Sequence, residues 1–493
     1  MKNYLLLSGV ALLALATPAL AQDETPQAYP ENSGLDVPVE DTAPAAEAPV
    51  TTGDPIQDRF NQLEARLKQL EARNAELEAQ NAEVQTRVQN VEVRAATAVQ
   101  PGPAPTFSDV GGKFIFKPRG TFQIDYAGYN ERRGGYDFSN GTDIRRARFG
   151  FDGSYGKFKW RLDAEYVKGA VNLLDAYVQY PLSTKLTITA GQHKTPYGLE
   201  ANTSDAFNTF LERGMASNAF GAVGAERRVG VSLAYATDKI NATVGVFGSS
   251  ESTVRSAVTP DEGYGINGRI VWEPINDTDK LVHVGASSYY VTNFAGNALS
   301  IGDRPNTRVD NGQIVQASIA GTNPTTGPQT GAQSAKYLGG EAALVRGPFS
   351  LQGEYGKLWV KRFGATPDVS FDGFYVFGSW FVTGESRTFK GGSVDRVKPL
   401  SEFDGSGGLG AIELVVRYDQ LDLTDTGLSP LTRKATSWTG GANWYLNPNT
   451  RLVFNYIRFK GQNSPLVQQP AAGPAVVGLA KGDAFATRLQ FDF

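Results

Sequence analysis

The sequence predicts an all-β fold: a sixteen-stranded antiparallel transmembrane β-barrel preceded by a short α-helical coiled coil. Three observations predict it. About sixteen segments after Gly111 alternate apolar and polar residues, their connections alternate between short and long, and the chain is exported yet lacks cysteine. Each segment runs for about ten residues, the length that crosses a bilayer at strand tilt. Short turns on one rim and longer loops on the other describe an outer-membrane barrel. At sixteen strands the lumen is wide enough for water rather than a packed core. A soluble β-sandwich also alternates, but its apolar stripe is buried core, and it does not gather aromatic residues at strand ends.

From the N-terminus, MKNYLLLSGVALLALATPALAQ carries Lys2, an apolar run from Tyr4 to Ala16, and Ala19-Leu20-Ala21. This reads as a signal peptide over 1–21 with cleavage after Ala21, and the run is too short for a membrane-spanning helix. No later stretch reaches about eighteen consecutive apolar residues, the mark of a helical span. Without cysteine, no disulfide framework is available. Residues 22–55 carry six prolines and eight carboxylates and read as a disordered linker. The formal charge of −4 conceals an asymmetry: residues 22–110 hold sixteen acidic and six basic residues, whereas 111–493 carry a net +5. That excess selects no ligand until its placement is known.

Residues 56–94 repeat on a heptad. Phe60, Leu67, Asn74, Asn81 and Val88 fall at a; Leu63, Leu70, Leu77, Val84 and Val91 fall at d. Five heptads predict a parallel coiled coil, with the two a-position asparagines as register devices. A lone amphipathic helix lying on a domain is the alternative. Residues 95–110, containing AVQPGPAP, read as a Pro/Gly linker, and 111–493 as the barrel.

The period-2 runs begin near residues 114, 144, 157, 172, 185, 227, 239, 264, 281, 335, 349, 371, 410, 435, 450 and 484. In KFKWRLDAEY (157–166), Phe158, Trp160, Leu162, Ala164 and Tyr166 share one face; Lys157, Lys159, Arg161, Asp163 and Glu165 share the other. The last run, AFATRLQFDF, puts Phe485, Leu489, Phe491 and Phe493 toward lipid and Arg488, Gln490 and Asp492 toward the lumen. It must pair with the first run, near 114–127, because an open sheet edge is not tolerated in lipid.

Several segments, DIRRARFGFDGSYGKFKWRLDAEY (143–166), LLDAYVQY (173–180), LTITAGQHKTPYGLE (186–200), FLERGMAS (210–217), ERRVGVSL (226–233) and FVTGESRTF (381–389), resemble the phosphate-selective porin O and P family. The resemblance runs from about residue 113 to the C-terminus and omits the heptads. It implies a homotrimer of sixteen-stranded barrels in the outer membrane of a Gram-negative bacterium, with a constriction lined by Arg and Lys. The coiled coil would then lie in the periplasm. A terminal aromatic such as Phe493 resembles the signal read by the barrel assembly machinery.

Parity nominates the residues that see the pore. Ala147, Phe149 and Phe151 face lipid, so Arg146 and Arg148 face the lumen, as do Lys157, Lys159 and Arg161 on the next run. Opposed guanidinium and ammonium groups replace part of an oxyanion's hydration, and a ring of them selects anions. The competing reading is an ordinary polar lumen face in which Asp163 and Glu165 cancel the field. In the family the loop corresponding to 195–225 folds inward, which adds Lys194, Arg213, Arg227 and Arg228; Arg213 can equally pair with Glu212 or Asp205. Residues 384–408, with Arg387 among their cations, form a connection too long for the short-turn rim. Either the strand count is off by one or this segment folds into the lumen.

Other features carry less. GYGING (263–268) and GSGGLG (405–410) match a dinucleotide fingerprint, but neither follows a strand and opens a helix. With only His193 and His283 no histidine cluster forms, and no G-x-S-x-G surrounds either; neither an enzyme nor a cofactor is expected, and no nucleic-acid partner. Arg132 and Arg133 in the first long loop either funnel anions or meet lipopolysaccharide phosphates. The expected function is a passive anion channel, first for phosphate or a related oxyanion. The alternatives are a general or dicarboxylate-type pore, or an envelope tether whose coiled coil holds a periplasmic or cell-wall partner.

Overall fold

A computed structural model of the chain describes residues 53–100, 104–109, 111–133, 136–249, 262–322, 327–467 and 478–493. The signal peptide expected at 1–21 and nearly all of the 22–55 linker lie outside the described residues.

Helix α1 spans Pro55–Ala98. The Asp54 carboxylate accepts the Ile56 N–H at 3.0 Å and caps its start, with Pro55 at the first helical position, where its missing N–H costs nothing. Phe60, Leu63, Leu67, Leu70, Leu77, Val84 and Val88 form an apolar stripe that remains exposed in the single chain.

Sixteen strands build the barrel: β1 (Phe114–Arg133), β2 (Gly141–Tyr155), β3 (Phe158–Val167), β4 (Ala170–Pro181), β5 (Leu186–Lys194), β6 (Arg227–Ala236), β7 (Ile240–Phe247) and β8 (Gly265–Asn276). They continue as β9 (Lys280–Thr292), β10 (Ala332–Arg346), β11 (Phe349–Arg362), β12 (Val369–Phe381), β13 (Ala411–Asp422), β14 (Lys434–Asn447), β15 (Thr450–Gln462) and β16 (Leu479–Asp492). Each pairs antiparallel with its neighbour, and β16 closes on β1 from Asp492↔Thr121 to Lys481↔Arg133. Beyond the last ladder pair, Phe493 N–H donates to the Gly120 carbonyl at 3.1 Å and Gly120 N–H to the Phe493 carbonyl at 3.0 Å. The Phe493 ring lies 2.6 Å from where a Cβ on Gly120 would stand, so a side chain there would displace the ring. The linker expected at 95–110 is not wholly irregular: Thr106–Ser108 forms a short strand on the start of β1, Phe107↔Phe116.

The outward face keeps its apolar residues exposed, among them Phe149, Leu162, Val244, Leu344, Val416 and Phe485. The lumen face is less uniform than alternation implies. Tyr289, Tyr337, Leu358, Phe371 and Leu421 line it with apolar surface, and helix α3 (Met215–Gly224) buries Met215, Ala219 and Phe220 against them. The wall is apolar on both sides here because its inner side is helix-packing surface.

Segment 195–226 crosses the lumen, and the opposite wall satisfies its backbone. Arg417 donates to the Glu212 carbonyl at 2.9 Å, Arg451 to Asn208 at 2.8 Å, Arg488 to Leu211 at 2.6 Å, Asn443 to Thr209 at 2.9 Å and Gln490 to Ala206 at 2.9 Å. Asn455 and Asp419 accept the Leu211 and Met215 N–H groups, at 3.0 and 2.9 Å. At the short helix α2 (Leu199–Asn202), the Glu354 carboxylate accepts the Leu199 and Glu200 N–H groups at 3.0 and 2.7 Å. Gly198 sits at φ +57°, and a side chain there would collide with Glu354.

Segment 382–410 folds inward from the short-turn rim, so the strand count stands and the second alternative holds. Phe389 packs beside Leu199, Leu281, Ala343 and Val345; Val394 N–H donates to Thr203 Oγ1 at 3.3 Å; Arg269 donates to the Gly392 carbonyl at 2.7 Å. A third inward segment, 293–322, adds a hairpin, Leu299–Asp303 against Val315–Ile319.

Two outcomes are expected. Deleting Phe493 removes two seam hydrogen bonds and the ring over Gly120, so fewer folded barrels reach the membrane fraction, while single-channel conductance of those that do is unchanged. A lower conductance would contradict this role. Burial, with Glu354 adding to it against the nearby Arg417, pushes the Glu200 carboxyl up to about 7. A raised carboxyl adds stability below its ordinary value near 4.5 and loses it as pH rises through about 7. The thermal midpoint should therefore fall between pH 5 and pH 8, and Glu200→Gln should flatten that fall; an equally steep fall in the variant would assign it elsewhere.

Candidate functional site

Between the β2–β6 wall, segment 195–226 and the inner hairpin of 299–319 lies a cavity of about 680 Å³. Nine basic and five acidic residues line it, a formal excess of four positive charges.

The β2 contribution begins with a bulge. Gln123 pairs with Arg146 and Ile124 with Ile144, leaving Arg145 as the extra residue. A bulge turns two successive side chains to one face, so Arg145 and Arg146 both enter the lumen. Arg148 follows two residues on. Arg145 holds Glu212 through two bonds, 2.6 and 3.1 Å. Arg146 donates to Gln123 Oε1 at 2.8 Å and reaches Asp205 at 3.3 Å; Arg148 bridges Glu165 at 2.9 Å and Asp205 at 2.5 Å.

Asp205 gathers the cavity's cations, with Arg213 also bonded to it. Lys194 donates to the Ala201 and Thr203 carbonyls at 2.9 and 3.1 Å on the same segment. Burial alone would raise the Asp205 carboxyl, but Arg146, Arg213 and Arg148 outweigh it and hold it well below the usual carboxylate range. Glu212 is treated alike: burial opposes ionisation, and Arg145, Arg308 and Arg488 overcome it. Two loop carboxylates are thus shared among six cations.

Some donors stay unused. Among the described residues, Arg146 Nε, Arg304 Nε and Thr195 Oγ1 are buried without a hydrogen-bond partner. Burial and the neighbouring Arg308 push the Arg304 guanidinium down from its usual value. An unpaired buried donor is costly.

The structure brings five nominated residues to this cavity: Arg146, Arg148, Lys194, Arg213 and Arg227, the last held to Asp175 at 2.8 Å. Arg213 pairs with Asp205 rather than Glu212. Five others lie elsewhere. Lys157 occupies the exposed turn before β3, and Lys159, one residue into that strand, is exposed at the same rim. Arg161 is neutralised by Asp152 through bonds of 2.6 and 3.1 Å. Arg228 turns to the Gly248 carbonyl at 2.5 Å, and Arg387 is buried in an ion pair with Glu413 in the 382–410 segment.

Alternation missed Arg145, Arg304 and Arg308. For Arg145 a signal exists: the lipid-facing residues change parity from Ile144 to Ala147, which marks a one-residue slip. Arg304 and Arg308 sit in a long loop, where no periodicity assigns direction. His193 accepts from Ser232 Oγ at 2.8 Å through Nε2 and donates to the Gly191 carbonyl at 3.0 Å, a tautomer set by that carbonyl. The pair is buried against Tyr177 and Phe247 and does not line the cavity.

The family model for phosphate-selective porin O and P matches residues 116–493. Porin O of Pseudomonas aeruginosa is 26% identical over 415 residues, covering 77% of this chain and 89% of that protein. An uncharacterized protein of Caulobacter vibrioides is 29% identical over 357 residues, covering 70% and 68%. Among solved structures, OmpT of Vibrio cholerae aligns with a TM-score of 0.48 at 12% identity, covering 77% of this chain and 98% of that one. An anion-selective porin from Comamonas acidovorans aligns at 0.45 and 15% identity, covering 77% and 100%. With the closed sixteen-stranded barrel and its inward segments already in hand, the match over most of the chain makes this an outer-membrane porin of the phosphate-selective porin O and P family.

Proposed function

We propose that the protein is a passive channel preferring anions, with phosphate or a related oxyanion as its solute. The observation that carries this reading is the surplus of cations in the cavity, together with the unused donors Arg146 Nε and Arg304 Nε. Arg145, Arg148, Lys194, Arg213, Arg227 and Arg308 surround that pair. Most already hold a carboxylate, so they offer a positive field and spare N–H groups without a deep trap. A field of this kind raises local anion concentration, and conduction requires release as much as binding. Diffusion follows the solute gradient.

Reversal potential across a KCl gradient tests the anion preference, and a cation-selective value sinks it. For the oxyanion, added phosphate should block chloride current. Arg146→Gln combined with Arg304→Gln should weaken the block by about tenfold or more, since one charge-assisted hydrogen bond is worth roughly 1.5–3 kcal/mol. An unchanged block would assign recognition to other groups, and a block stronger with succinate than with phosphate would favour a dicarboxylate pore.

The uncovered stripe of α1 supports a second part of the reading: the helices of three chains associate as a coiled coil that stabilises a homotrimer. Burying each Leu, Val or Phe contributes about 1.5–3 kcal/mol. Removing residues 56–92 should shift trimers toward monomers on dilution, measured by mass photometry. Trimers of undiminished stability, in cells whose outer membrane detaches from the wall, would instead make α1 a tether.

A further inference from the structure

Cations also collect on the outside of the barrel. Near the long-loop rim, β15 presents Arg458 and Lys460, β16 presents Lys481, and Arg132 joins them from the bulged end of β1. Their direction follows from parity. Tyr456, Phe485 and Tyr126 on the same faces are exposed, whereas Ile457, Phe459, Ala484 and Asp125 are buried inside.

Lys460 stands directly opposite Lys481, and Arg458 opposite Asp483. Opposed residues of an antiparallel ladder have Cα atoms about 4.5–5.5 Å apart, where like charges repel. Asp483 is already taken by Arg132 and by the Tyr456 hydroxyl, the latter at 2.8 Å. Lys460, Lys481 and Arg458 have no hydrogen-bonded or ion-pair partner among the described residues. Farther along the rim Lys434 is neutralised by Asp422 at 3.4 Å.

Its height matters. Arg458 is level with Trp438 on β14, whose exposed ring packs against Tyr418, and Tyr456 and Phe485 lie one step below. Aromatic girdles of this kind mark the boundary between acyl chains and headgroups, and long loops mark the outer side. Four cations on three adjacent strands cover roughly 10 by 7 Å. They point to lipid, away from any solute in the lumen.

We propose that this patch binds the phosphorylated headgroup of a lipid in the outer leaflet. A phosphate between Lys460 and Lys481 would turn a repulsive pair into two charge-assisted hydrogen bonds, with Arg458 and Arg132 at its edge and the acyl chains on the aromatic wall.

The test uses the full-length protein in detergent, with three probes: lipopolysaccharide, the same glycolipid stripped of its phosphates, and inorganic phosphate. Native mass spectrometry should show the phosphorylated lipid retained. Lys460→Gln with Lys481→Gln should weaken retention about thirtyfold, at roughly 1 kcal/mol per cation near an anionic surface. Lys460→Arg with Lys481→Arg should preserve it, and conductance should be unchanged in both. Equal retention of the stripped glycolipid overturns the proposal, and so does a double Gln variant that binds as tightly as the native protein. Inorganic phosphate competing at equal affinity would make the patch a solution-anion site. A double Gln variant that loses only its oligomeric state would make this wall a subunit interface.

Discussion

Non-helical backbone at membrane depth must hydrogen-bond to protein or to lumen water. Segment 195–226 meets this demand through the far wall. Arg417, Arg451, Arg488, Asn443 and Gln490 donate to five carbonyls between Ala206 and Glu212, and Glu354, Asn455 and Asp419 accept N–H groups along the same stretch. These contacts fix where the loop lies. The cavity is what remains on the other side.

The same arrangement decides which cations are free to act. On the far wall positive charge is consumed: Arg488 grips Asp125 through two bonds of 2.7 and 2.8 Å, and Arg387 is buried on Glu413. On the β2–β6 side the loop offers Asp205, Glu212 and Glu226, and the nine basic residues of the lining still outnumber its five acidic ones. The basic character of the cavity is therefore local. A chain of formal charge −4 contains it because acidic residues concentrate upstream of the barrel, in 22–110.

Much of this was legible in advance, and the gaps have physical causes. Period-2 alternation identifies sixteen strands because lipid on one side and water on the other impose it along most of the wall. It turns Arg146 and Arg148 to the face that lines the cavity for that reason. It says nothing of Arg304 and Arg308, since a loop has no imposed period, and it misplaces Lys157, which lies in a turn. Arg228 obeys its parity yet serves a backbone carbonyl, a choice that depends on a neighbouring strand. Along Tyr289, Tyr337, Leu358 and Phe371 the alternation blurs because α3 needs an apolar bed. The destination of 382–410 was readable only as an excess of length.

A ring of hydrogen-bonded strands is stiff along each strand and compliant across its diameter, like a hoop. Segment 195–226 leaves the wall at Lys194, is fastened to β11 and β13–β16, and returns at Arg227. It is a chord, and a chord fixes the distance between the points it joins. The position of Asp205 beside Arg146 is thereby held by a brace anchored on the opposite side.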